Sequence, residues 1–157
     1  MSNNSHIGRL VGICALTGGW WTLVVGPSVT DLIAPGVSAN DLNQPQRWWQ
    51  EEVIASSEII LLVAAICAVL WYFYGLTRHI ERWSGVNHRW EWHVGLVVTV
   101  CIVVYMGLSV TRVGQGRELV YAVYAFHGCG FYYLATVLCS PARWKYTPPL
   151  AAYFRKL

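Results

Sequence analysis

Residues 53–76 read "VIASSEIILLVAAICAVLWYFYGL", and this stretch decides the fold. A helix needs about 20 predominantly apolar residues to cross the hydrocarbon of a bilayer. The stretch meets that length with Glu58 as its one charged side chain. Three further blocks have the same character, at 10–27, 94–111 and 119–138. The chain therefore reads as an all-α integral membrane protein, a single membrane domain over 1–157 formed by about four transmembrane helices.

Composition points the same way. Of the 157 residues 55% are hydrophobic and only 12% charged, whereas a soluble domain is about a quarter charged. The net charge of +3 comes from Lys and Arg scattered between apolar blocks, without the basic stripe and stacking aromatics of a nucleic-acid surface. Nucleic acid is excluded as a partner, and other membrane subunits and lipid are expected. The five cysteines, at 14, 67, 101, 129 and 139, show no C-x-x-C and no zinc spacing, so they read as small buried hydrophobes.

The first block carries Trp20 and Trp21 and lacks an A-x-A-like cleavage site, which favours a retained helix over a signal peptide. After it, 28–52 is rich in Pro, Asn and acidic residues and reads as an extracytoplasmic loop. The "RVGQGRE" link at 112–118 is short, which makes the third and fourth helices antiparallel neighbours. Arg9, Arg78, Arg82, Arg89, Arg143, Lys145, Arg155 and Lys156 fall on one side of this topology, against Arg47, Arg112 and Arg117 on the other. The excess places both termini in the cytoplasm of a bacterial-type inner membrane.

Ionisable groups inside the spans reduce to Glu58 and His127, with His93 at the cytoplasmic mouth of the third helix. At ~1.5 Å of rise per residue, Glu58 and His127 lie at similar depth in the outer half. Ser56, Ser57, Tyr121, Tyr124, Tyr105, Met106 and Ser109 share that half. A charge in hydrocarbon costs about 3 kcal/mol or more unless paired, so a Glu58–His127 hydrogen bond is one expectation. The other is a site: a quinone headgroup, haem or metal held by His127 with Glu58, Tyr124 and Tyr105, His127 and Met106 being candidate copper ligands. A bis-histidine haem between His93 and His127 is disfavoured, because their heights differ by more than ~10 Å. In "FHGCGF" at 126–131, Gly128 and Gly130 let a neighbouring backbone or a flat cofactor come close, and Gly12, Gly18 and Gly19 serve the same purpose in the first helix. The Trp and Tyr residues of "RWWQ", "WYFY" and "NHRWEWH" read as headgroup-level anchors.

The stretch "SEIILLVAAICAVLWYFYGLTR", with "YMGLSVTRVGQG", resembles a helix of the C subunit of the copper membrane monooxygenases, the methane and ammonia oxidisers. The resemblance implies an accessory or shortened relative in a multi-subunit oxidoreductase. Of that family's metal-binding Asp and two His, only His127 has a counterpart here. With no nucleotide loop, hydrolase triad or redox C-x-x-C, the sequence points to an integral membrane subunit of a multi-subunit redox complex, contributing to a quinone, haem or metal site with its neighbours. The alternatives are a non-catalytic scaffold subunit and a small transporter or channel.

Overall fold

A computed structural model describes residues 3–25, 49–80, 90–110 and 117–139, and within them the chain is all-helical. Helix α1 (Asn3–Trp20) continues into a π-helical turn, Trp21–Val25. Helix α2 (Ala55–Ile80) is entered through a second π-helical segment, Trp49–Ile54. Helix α3 spans Trp90–Val110. The fourth helix comes in three pieces: α4 (Arg117–Ala125), a π-helical segment Phe126–Gly130, and α5 (Phe131–Cys139). Two stretches, Glu51–Gly75 and Glu91–Val110, are long and apolar enough to cross a membrane.

The helices overrun the blocks read from hydropathy, because polar residues at their ends still complete helical turns. Trp49, Gln50, Glu51 and Glu52, expected in the loop, are helical. The rest of the 28–52 loop, most of the basic flank after α2, residues 111–116 with most of the polar link, and the tail from 140 lie outside the described residues, as do His88 and the side chains of His6, His79 and Cys139.

Pairwise contacts show how the helices run. Along α3 and the fourth helix, the Gly107 position meets Tyr121, Thr99 and Val103 meet Gly128, and Gly95 meets Tyr132. Trp92 then meets Thr136. One index rises as the other falls, so the two helices are antiparallel neighbours. Helices α1 and α2 pair in the same sense, with Trp21 bonded to Glu58 at one end and Ile13 packed with Tyr72 towards the other. Helices α2 and α3 do likewise, Tyr74 near the end of one bonding Glu91 at the start of the next.

Packing density at two of these crossings depends on a missing Cβ. At Gly128 an added methyl would stand 2.9 Å from Ile60 Cγ2 and Val103 Cγ2 and 3.0 Å from Thr99 Cγ2. At Gly95 it would strike the Tyr132 phenol, whose hydroxyl donates to the Trp92 carbonyl at 3.0 Å. By contrast, Gly12, Gly18 and Gly19 have nothing within 4 Å of that position. The close contacts expected of α1 are therefore not made among the described residues.

Among the described residues two large apolar clusters fill the interior, one towards each end, and Ile13 with Tyr72 forms a small third. The first gathers Leu61, Ala64, Ala68, Trp71, Trp92, Phe131, Tyr132 and Ala135. The second gathers Trp49, Val53, Ile60, Val103, Val110, Val120 and Tyr124. This corrects the reading of the aromatics as outward anchors: Trp49, Trp71, Tyr72 and Trp92 are buried. Burying a large ring removes more apolar surface than any aliphatic side chain offers, and the Trp92 indole N–H finds Thr136 Oγ1 at 3.0 Å once inside. The cysteines are corrected the other way, Cys14 and Cys101 being exposed and Cys67 and Cys129 half-buried. A thiol is small and apolar enough to sit on an outer face made of Val, Ile and Leu.

Candidate functional site

His127 sits in the π-helical segment of the fourth helix, 4% exposed. The extra residue of a π-turn widens the helix locally and re-aims the side chains around it, which is why such turns gather at functional sites. Here it presents His127 to the end of α1. Trp20 Nε1 donates to His127 Nδ1 at 3.2 Å, and the Trp20 indole also lies against Phe126 and Phe131, ring centroids 5.1 and 5.7 Å away.

That single hydrogen bond decides what the imidazole can do. An indole N–H only donates, so Nδ1 must present its lone pair, and the proton of the neutral ring sits on Nε2. A ring in this state is a hydrogen-bond donor at Nε2. It has no lone pair left for an iron or copper ion, because metal ligation at Nε2 requires the proton on Nδ1, where the indole offers no acceptor. Among the described residues no group of three or more His, Cys, Asp or Glu comes together. Met106 is half-buried against the second apolar cluster.

Glu58 stands at the same level, held by the adjacent indole: Trp21 Nε1 donates to Glu58 Oε1 at 3.0 Å. Its side chain faces outward. The expected Glu58–His127 hydrogen bond is not made; two successive tryptophans take one ionisable side chain each. Neighbouring positions on a helix point about 100° apart, so Trp20 reaches the interior and Trp21 stays at the surface.

Tyr124 lies one turn before His127 and is fully buried. Its hydroxyl forms no hydrogen bond of ordinary geometry, although the Ser56 side chain is alongside. Ser56 and Ser57 are both buried there, and Ser57 turns its hydroxyl back onto the Val53 carbonyl at 2.9 Å. Tyr105 is 64% exposed on the outer face of α3 with Val104 and Leu108. It does not belong to the interior that holds His127, because Val103, Gly107 and Val110 form the inward stripe of α3 and position 105 falls opposite it.

His93 is exposed near the start of α3. Gly128 meets Thr99 and Val103, six and ten residues further along, so His93 and His127 are separated by about 9 to 15 Å along the axis. They do not face each other across one ion. Sequence reasoning missed Trp20 as the partner of His127; its signal was a donor-only pair of indoles at the end of one apolar block and two buried-type acceptors in others. It also missed Glu91, which accepts from the Tyr74 hydroxyl at 2.8 Å between α2 and α3.

Compared with known proteins, the chain matches no family model, no curated protein sequence and no solved structure.

Proposed function

We propose that this chain is an integral membrane subunit of a multi-subunit redox complex, and that its His127 region helps to hold a quinone headgroup together with neighbouring subunits. One observation carries the reading: two buried donors, His127 Nε2–H and the Tyr124 hydroxyl, stand one helical turn apart, and the second lacks a partner of ordinary geometry. A quinone headgroup is the complementary object, flat and apolar with two carbonyl acceptors and no donor. A buried hydroxyl without an acceptor costs about 1–3 kcal/mol, which a bound carbonyl would relieve.

The membrane setting rests on the two long apolar helices and on outward side chains such as Leu62, Leu70, Val97 and Leu108, all more than half exposed. Four spans, cytoplasmic termini and an external 28–52 loop follow from the Lys/Arg asymmetry and the alternating direction of neighbouring helices. A second reading, a scaffold subunit of an assembly such as a copper membrane monooxygenase, is favoured by the open glycine positions of α1, where a partner helix can approach closely.

The test is purification of the native assembly in gentle detergent, followed by solvent extraction and quantification of bound quinone. Replacing His127 with Leu is expected to lower retained quinone roughly tenfold, the effect of one lost buried hydrogen bond, while the same change at His88 leaves it unaltered. Equal retention in both variants would leave the scaffold reading in its place.

A further inference from the structure

At the opposite end of the molecule from His127, a groove of about 390 Å³ opens between α2 and α3. Leu70, Trp71, Tyr74, Glu91, Val94 and Val98 form most of its wall. Its rim is apolar and outward: Leu70 is 62% exposed, Val94 and Val98 nearly half. A ligand that enters such a groove comes from the hydrocarbon phase and leaves part of itself there. Among the described lining residues Glu91 is the one acidic side chain, and it lies in the first turn of α3, where the helix dipole favours an acid. The Tyr74 hydroxyl donates to one of its oxygens and so fixes the carboxylate's direction. Trp71 and Tyr74, stacked with ring centroids 6.2 Å apart, bring two aromatic faces to the same place.

A carboxylate, two aromatic rings and an aliphatic trough form a receptor for one ligand chemistry: an ammonium head on a hydrocarbon body. We infer that this groove binds a bilayer phospholipid with an ethanolamine headgroup, its primary ammonium at Glu91 against the Trp71 and Tyr74 rings and an acyl chain along Leu70, Val94 and Val98. An ethanolamine ammonium brings three N–H donors to a group that only accepts. A glycerol headgroup on the same phosphate brings a net negative charge towards Glu91 and is disfavoured. The inference rests on the membrane location proposed above and not on His127, so an H127L chain binds this lipid as the wild type does.

Native mass spectrometry of the detergent-purified protein tests it, with phosphatidylethanolamine and phosphatidylglycerol of identical acyl chains added in equal amount. The wild type is expected to retain the ethanolamine lipid roughly fivefold over the glycerol lipid, the size of one partly exposed ion contact. Glu91→Gln keeps the shape, loses the charge and should bring the ratio to parity. Val98→Trp fills the trough from an exposed position, leaves Glu91 intact and should reduce retention of both lipids, with helicity by circular dichroism confirming that each variant folds. Equal retention of the two lipids by the wild type, an unchanged preference in Glu91→Gln, or undiminished retention in Val98→Trp overturns the assignment.

Discussion

Gly128 shows how much one absent methyl group controls. Three side chains from two helices converge on its Cα, so Gly128→Ala is expected to destabilise the folded chain by about 1–3 kcal/mol, the usual cost of overpacking. Gly12→Ala, with open space around it, should change the isolated chain by less than about 0.5 kcal/mol. Thermal melting in detergent compares the two directly. At His127 the imidazole tautomer is the measurable consequence of the Trp20 bond: nitrogen NMR is expected to find Nδ1 unprotonated and Nε2 protonated in the wild type, and Trp20→Phe should lose this preference along with about 1 kcal/mol. His127 and Glu58 were legible in the sequence, because an ionisable group amid apolar residues must find a partner. Their partners were not, since Trp20 is 107 positions from His127 and nothing local distinguishes an indole that donates to it from one that anchors at a headgroup.

The fourth helix shows what element-level reading can and cannot reach. Its apolar run announces a helix, yet no residue pattern in "FHGCGF" announces that the backbone widens there into a π-turn. The wide turn absorbs one extra residue, and so the helix beyond it keeps its facing. Deleting Cys129 removes the residue that the wide turn absorbs, so α4 would run straight into α5 with Phe131, Tyr132, Ala135 and Thr136 still facing the core they fill, while His127 loses the turn that aims it at Trp20. We expect the deletion to keep cooperative melting but to lose the Trp20–His127 bond, read from the imidazole nitrogen shifts, whereas Cys129→Ala, which preserves the count, should keep both. The same logic explains the aromatics. Hydropathy places Trp71, Tyr72 and Trp92 near helix ends, where anchoring is common, but their rotation about the axis sends them inward to stack and bond with Tyr132, Thr136 and one another's neighbours. Depth is readable from position along a helix; facing direction needs the neighbours.

At the scale of the whole molecule, reporters fused at Gln44 and Lys156 are expected on opposite sides of the membrane, as the three crossings between them in the proposed four-span topology demand; reports from the same side would require an even number of crossings between them and would refute that topology. Gentle extraction followed by native mass measurement should find the chain within a larger species at low ionic strength, with the contribution of the acidic 28–52 segment weakening as salt screens it and the helix contacts persisting. A lone 17.7 kDa species with full function at both salt concentrations would refute dependence on partners. The sequence by itself determined that the chain is helical and where its long apolar helices run, because hydrophobic length and the scarcity of charge act along the chain and leave a local record. Only the tertiary structure decided that Trp20 closes on His127 while Trp21 takes Glu58, that Gly128 and not Gly12 marks a close crossing, and that Glu91 looks into a groove between α2 and α3. Those outcomes depend on helix rotation and on which surfaces meet, and rotation is set by packing between segments that lie far apart in the chain.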